Sequence, residues 1–127
     1  MATVMARVPR QLFVAAFFAA CIAVGVLSLL PLAVPVPSTG WDKSNHALGF
    51  LLLALLGAAS WPGRRARVLL ALAVYGGAIE MAQAASGYRF GEWLDWGADL
   101  AGLAIGFLAW RRAASCMRGK RGSYSDI

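Results

Sequence analysis

Long apolar stretches separated by short polar segments dominate the pattern of this chain. A helix needs about 20 mostly apolar residues to cross roughly 30 Å of hydrocarbon. Four stretches approach or exceed that length, and we predict membrane-spanning helices at about residues 11–34, 44–61, 68–86 and 93–110. A proline-rich segment that begins at Pro31 ends the first stretch, and Pro62 ends the second, because proline lacks the amide hydrogen that a continuing helix requires. The fourth stretch forms a span if Asp95 and Asp99 lie in its first turns.

The composition is that of a membrane protein. Apolar residues make up 60% and charged residues 14% of the 127 positions, and the mean hydropathy is +0.64. Globular domains contain about 45–50% apolar and about 25% charged residues. A soluble domain of this size buries too small a fraction of its chain to hide so much apolar surface, and disordered chains are poor in apolar residues. We therefore predict an all-α integral membrane protein, a bundle of four spans in a single domain at 1–127.

Basic residues are distributed unequally between the two sides of this predicted bundle. The N-terminus, the loop between the second and third spans and the tail at 111–127 share one side, which carries ten of the 12 lysines and arginines. The positive-inside rule makes this side, and so both termini, cytoplasmic. We expect the basic tail to contact anionic lipid at the inner surface of the bilayer rather than nucleic acid.

The first span and the two cysteines need separate interpretation. The apolar run of the first span is longer than the 7–15 residues typical of a cleaved signal and continues past Cys21, so we expect the segment to be retained. Cys21 lies deep in this span and Cys116 in the tail, which excludes a disulfide between them, and no zinc-type spacing occurs.

Ionisable residues occur at a similar depth in three of the predicted spans. At 1.5 Å per helical residue, His46, Glu80 and Asp99 lie about 7, 10 and 9 Å below the outer surface. A charged group at this depth costs several kcal/mol unless it faces a polar interior or finds a partner. Polar residues three or four positions apart also share one helix face. We therefore predict one polar pocket, open to the outside, with Lys43 and Arg89 at its rim and lined by Asp42, His46, Glu80, Gln83, Asp95 and Asp99.

Structural roles compete with this functional interpretation. Gln83 alone would serve equally well as a hydrogen bond between helices, which typically contributes about 0.6 kcal/mol, and a single histidine at a helix start is more often structural than catalytic. Four ionisable groups, Glu80, Asp95, Asp99 and His46, exceed what helix association requires, which favours a functional pocket. Gly102 and Gly106, four residues apart, predict a close helix crossing.

The polar residues, read in chain order, resemble the VanZ-like family of membrane proteins. The Asp-Lys-x-x-His opening of that family is matched at 42–46, followed by Phe50, and its Glu-x-x-Gln element is matched at 80–83. Its last hairpin is matched by Arg89, Glu92, Asp95, Gly102 and Gly106. The match covers about 41–106. The family often has asparagine where Asp99 stands, which puts in doubt any role that needs a neutral amide there.

The resemblance implies a small bacterial inner-membrane protein of four spans, in a family whose named member is associated with low-level teicoplanin resistance. We accordingly expect a non-enzymatic cell-envelope protein whose pocket binds the headgroup of a lipid-linked or cell-wall precursor. Lys43 and Arg89 would meet its phosphate groups, and the acids and His46 would meet amine or hydroxyl groups.

Two alternatives stay open at this point. The first is a membrane enzyme that acts on a lipid phosphate or cell-wall precursor, with Glu80 and His46 as candidate catalytic base and acid. The second is proton- or ion-coupled transport, which buried acids permit and which so small a bundle would perform as a homo-oligomer. We predict no cofactor. Clustered carboxylates with a histidine can hold a divalent metal such as Mg²⁺, Ca²⁺ or Mn²⁺, but no spacing here resembles a metal motif.

Overall fold

The computed structural model describes residues 8–31, 42–87 and 92–124, without the side chains of Asp42 and of residues 121–124. In these ranges the chain forms four α-helices and one short 3-10 helix, and it contains no strand. The prediction of an all-α fold is confirmed. The helices are α1 (Arg10–Leu29), α2 (Asp42–Ser60), α3 (Arg65–Ser86) and α4 (Trp93–Tyr124), and the 3-10 helix (Pro62–Arg64) joins α2 to α3.

Proline and glycine set most of the helix ends. The first helix stops at Leu29, before the predicted end of the first span near residue 34, because Leu30 is extended (φ −64°, ψ 144°). A residue that precedes a proline, here Pro31, is disfavoured in the helical region. Residues 32–34 lie outside the described ranges. Pro62 opens the 3-10 helix, at a position where the missing amide hydrogen has no helical partner to lose. Gly87 ends α3 in a left-handed conformation (φ 78°), the usual C-terminal role of glycine.

The fourth helix extends far beyond the predicted fourth span. That span was expected to end near residue 110, but α4 continues to Tyr124. Alanine, arginine, lysine and methionine, which are strong helix formers, are frequent after residue 110, and no proline interrupts them. The basic tail predicted at 111–127 is therefore helical through Tyr124, and residues 125–127 lie outside the described part of the chain.

Hydrogen bonds between helix ends show how α1, α2 and α3 are oriented relative to one another. Arg10 Nε, at the start of α1, donates to the carbonyl oxygen of Ser60 at the end of α2 (2.6 Å). Gln83 Nε2, near the end of α3, donates to the carbonyl oxygen of Ser28 near the end of α1 (2.8 Å). Thus α1 and α3 run in one direction and α2 in the other.

The most extensive helix contact joins α2 to α4, which run in the same direction. Gly102 lies directly against the backbone of Ala47, and a Cβ atom on Gly106 would lie 2.9 Å from the carbonyl oxygen of Leu51 and 2.8 Å from the Cβ of Ala54. Both glycines therefore allow the two backbones to approach more closely than any side chain would permit.

The apolar core is small, and much of the outer surface is also apolar. The core consists of Phe17, Phe50, Leu53, Ala54, Leu72, Ile79 and Leu103. Large apolar side chains are exposed on all four helices, for example Ile22 (67%), Leu52 (48%), Val74 (66%) and Ile105 (56%). Exposed apolar surface of this extent is typical of a face that meets lipid or another protein.

Two segments are long and apolar enough to cross a membrane. They are Arg10–Leu29, with a mean hydropathy of 2.6, and Pro62–Ser86, with 1.5. The core helix of a soluble protein passes the same test when it is mostly buried, but only 6% and 28% of these two segments are buried here. Polar residues in the first turns of α2 and α4 lower the hydropathy of those helices. Length and hydropathy thus give a weak indication of membrane association, from two helices rather than four.

Candidate functional site

Three buried ionisable side chains from three helices meet at one end of the bundle. His46 lies in the second turn of α2, Glu80 near the end of α3 and Asp99 in the second turn of α4. His46 Nδ1 lies 2.9 Å from Asp99 Oδ1 and 4.0 Å from Glu80 Oε1. The exposed fractions of His46, Glu80 and Asp99 are 8%, 4% and 0%. We refer to these three residues as the buried cluster.

A glycine on α3 makes room for one carboxylate of the buried cluster. A Cβ atom on Gly76 would lie 2.8 Å from Asp99 Oδ2 and 3.2 Å from the ring of Phe50, so any larger residue would displace one of them. Gly76 and Glu80 are four residues apart and therefore share a helix face. Gly76 was not among the residues predicted from the sequence. The available signal was glycine in a helix interior, which is about 1 kcal/mol less favourable than alanine.

The two carboxylate oxygens of Glu80 have different surroundings. Oε2 accepts a hydrogen bond from the backbone N–H of Glu92, the residue before α4 (2.9 Å). The first N–H groups of a helix lack helical partners and carry a partial positive charge, so Glu80 stabilises the start of α4 from a neighbouring helix. Oε1 is buried and, within the described part of the chain, has no hydrogen-bond partner. This oxygen is the one that faces His46.

A second polar group lies beside the buried cluster, nearer the end of the bundle. Lys43 Nζ lies 3.1 Å from Glu92 Oε2 and 3.4 Å from Asp95 Oδ1. The side chains of Lys43 and Glu92 are 31% and 53% exposed, and that of Asp95 is 4% exposed. Lys43 precedes the span predicted at 44–61, and its hydrogen bond to Glu92 raises the pKa of the ammonium group. The lysine therefore stays charged at neutral pH.

The other predicted pocket residues fall into two groups. Gln83 is buried (3% exposed), but its amide donates to Ser28 of α1, near a helix end where carbonyl groups lack helical donors. This contact corresponds to the structural alternative for Gln83. Arg89 lies outside the described residues, and for Asp42 only the helical backbone is described.

Charge is separated along the axis of the bundle. Every acidic side chain that the structure describes, namely Glu80, Glu92, Asp95 and Asp99, lies at the end that holds the buried cluster. The opposite end carries Arg10, Arg64, Arg65, Arg67 and the arginines of the second half of α4. The bundle therefore has one acidic end with a single described lysine, and one basic end.

Comparison of the chain with protein-family models, with curated proteins and with solved structures finds no match. A buried imidazole beside two carboxylates can hold a proton or a divalent cation, and a partly exposed lysine beside them can bind an anion.

Proposed function

We propose that this chain is a VanZ-like protein of the bacterial inner membrane. In this proposal all four helices cross the bilayer, and the acidic end of the bundle binds the anionic headgroup of a lipid-linked cell-wall precursor. The observation that carries the proposal is the position of the partly exposed Lys43 next to the buried cluster, at one end of a bundle whose sides are apolar. The resemblance to the VanZ-like family adds a link to teicoplanin resistance as part of the same proposal.

The direction of the polar residues supports spans at α2 and α4. Leu48 and Leu52 of α2, and Ile105 and Leu108 of α4, are about half exposed or more (55%, 48%, 56% and 55%). Three ionisable residues in the first two turns of these helices, His46, Asp95 and Asp99, are buried instead. Polar residues in membrane spans usually face the interior of the bundle in this way. Two helices that fail a hydropathy test can therefore still present an apolar surface to lipid.

The separation of charge supports an orientation. Lysine and arginine are enriched on the cytoplasmic side of membrane proteins, so the basic end would face the cytoplasm together with both termini. The acidic end would then face outward, where cell-wall precursors are presented. Anionic lipids at the cytoplasmic face would interact with the basic end.

Lys43 is the residue most suited to contact a headgroup phosphate. An ammonium group has three donors, and the two carboxylates near Lys43 Nζ leave one donor for a ligand. The position at the first turn of α2 corresponds to the depth of lipid headgroups if α2 spans the bilayer. A phosphate would replace part of the interaction with the exposed Glu92, while the buried Asp95 would continue to hold the lysine.

One experiment tests headgroup binding by charge removal at matched positions. The purified full chain is placed in phosphatidylcholine nanodiscs and titrated with farnesyl diphosphate, a short polyprenyl diphosphate. We expect Lys43→Met to weaken binding at least tenfold, whereas Lys120→Met, which removes the same charge at the basic end, changes affinity less than twofold. Equal affinity of Lys43→Met and the wild type would refute the proposal.

The position of the unbonded Glu80 Oε1 near His46 favours one second candidate, an enzyme that acts on the same headgroup by acid–base chemistry. Measuring phosphate release during the same titration distinguishes this enzyme from a binding protein. Release of inorganic phosphate from the probe by the wild type, lost in Glu80→Gln, would indicate the enzyme. Binding without release would indicate the binding protein.

A further inference from the structure

We propose that His46, Glu80 and Asp99 bind one divalent transition-metal ion of the Zn²⁺ or Mn²⁺ type. One ring nitrogen of His46 and one carboxylate oxygen from each acid lie within 4.8 Å of one another. Protein ligands lie about 2.0–2.2 Å from a tetrahedral Zn²⁺ ion, so two ligand atoms are about 3.4 Å apart. His46 Nδ1 lies 2.9 Å from Asp99 Oδ1 and 4.0 Å from Glu80 Oε1, so side-chain movements of about 1 Å would convert the buried cluster into a coordination site.

The unbonded oxygen of Glu80 points independently to a ligand. Glu80 is 4% exposed, and its Oε1 atom has no hydrogen-bond partner among the described residues. A buried polar atom without a partner is unfavourable by about 1–3 kcal/mol, and more if it is charged. The nearest donor, His46 Nδ1, is 4.0 Å away and lies 2.9 Å from Asp99 instead. A cation between the three side chains would satisfy this oxygen.

The surroundings hold both carboxylates in place. The backbone N–H of Glu92 fixes Glu80 through Oε2, which leaves Oε1 directed at His46. The missing side chain of Gly76 provides the space for Asp99 Oδ2. Interactions of this kind around ligating side chains orient them and contribute to metal affinity.

The donor set selects the class of ion. Imidazole suits Zn²⁺, Fe²⁺ and Cu²⁺, whereas carboxylate and water suit Mg²⁺, Ca²⁺ and Mn²⁺. A single nitrogen with two carboxylates therefore favours Zn²⁺ or Mn²⁺ over Ca²⁺ and Mg²⁺, which prefer oxygen ligands alone. Two carboxylates also balance the charge of a divalent ion beside a neutral imidazole. A neutral site is favoured where the surroundings are apolar.

The three ligands lie on three different helices, so they do not form a sequence motif by which the site could be recognised. The proposal depends on these three side chains alone, and it holds whether or not Lys43 binds a headgroup. Failure of headgroup binding and failure of metal binding are therefore separate results.

The test uses the full chain, without a histidine tag, in detergent and stripped of metal with EDTA. Titration calorimetry with Zn²⁺, Mn²⁺, Mg²⁺ and Ca²⁺ in separate experiments should give one bound Zn²⁺ or Mn²⁺ per chain, with Mg²⁺ and Ca²⁺ at least 100-fold weaker. We expect Glu80→Gln to weaken Zn²⁺ binding at least tenfold, since the amide retains an oxygen for the Glu92 N–H and loses the charged ligand. Glu92→Gln, the same change outside the proposed ligand set, should alter the affinity less than twofold.

A spectroscopic measurement on the wild type tests metal binding even if the Glu80→Gln variant does not fold. Co²⁺ added to the wild type should give ligand-field absorption that saturates at one ion per chain and disappears on addition of Zn²⁺. Three results would each overturn the proposal: no saturable binding to the wild type, Mg²⁺ binding as tight as Zn²⁺ binding, or unchanged Zn²⁺ affinity in a folded Glu80→Gln variant.

Discussion

Replacement of Gly76 by alanine tests whether the space beside Asp99 is required for the fold. The new Cβ atom would lie 2.8 Å from Asp99 Oδ2 and 3.2 Å from the Phe50 ring, so one of these buried groups must move. Overpacking of this kind typically destabilises a protein by about 1–3 kcal/mol. Alanine also gains about 1 kcal/mol over glycine within a helix. The measured net effect of Gly76→Ala should therefore fall between no change and a destabilisation of about 2 kcal/mol.

The adjacent glycine separates these two contributions. A Cβ atom on Gly77 would lie 3.6 Å from Trp96 Nε1, which is an ordinary contact. Gly77→Ala should therefore raise the free energy of unfolding by up to about 1 kcal/mol, because alanine favours the helix over glycine and no clash opposes it. The free energy of unfolding in mixed detergent and SDS, followed by circular dichroism, should therefore be about 1–3 kcal/mol lower for Gly76→Ala than for Gly77→Ala. Equal stability of the two variants would refute the close packing of Asp99 against α3.

Three further predictions concern helix packing, orientation and the polar residues. Gly102→Ala places a Cβ atom against the α2 backbone, whereas a Cβ atom at Gly97 meets nothing within 4 Å. Both variants have the same gain in helix propensity, so the free energy of unfolding should be about 1–3 kcal/mol lower for Gly102→Ala than for Gly97→Ala. Equal stability of the two variants would contradict the α2–α4 contact. In spheroplasts, a membrane-impermeant maleimide should label Cys116 only after permeabilisation, in a variant whose other cysteine is serine, and labelling of intact spheroplasts would reverse the orientation. Gln83→Leu should lower the free energy of unfolding by about 0.6 kcal/mol and leave diphosphate binding unchanged. A loss of binding comparable to that of Lys43→Met would show that Gln83 contacts the ligand.

Depth along a helix could be predicted from the sequence, because each helical residue advances by 1.5 Å. Counting residues from the ends of the apolar stretches put His46, Glu80 and Asp99 at a similar level, and the structure brings their side chains together. The neighbouring helix that each side chain contacts was harder to predict from the sequence than its depth. Gln83 is only three residues from Glu80, yet its amide reaches α1, and the tilt and packing that decide this involve residues far apart in the chain.

Partners that are backbone groups left no signal in the sequence. Oε2 of Glu80 is bound by the N–H of Glu92, which any residue other than proline could have supplied. The end of α4 could not be predicted from the change in polarity after the fourth apolar stretch. A run of arginines after Trp110 marks the boundary of an apolar segment but does not terminate a helix, since arginine is a strong helix former. The change in polarity and the end of the helix are therefore at different residues.

The length of α4 places its two ends in different chemical surroundings. Its 32 residues form a rod of about 48 Å at 1.5 Å per residue, and no proline interrupts it. Glu80 accepts a hydrogen bond from the N–H of Glu92, the residue before this helix, and the arginines after Trp110 lie on its far half. One uninterrupted helix therefore begins beside the Glu80–Glu92 hydrogen bond and ends among the arginines of the basic end.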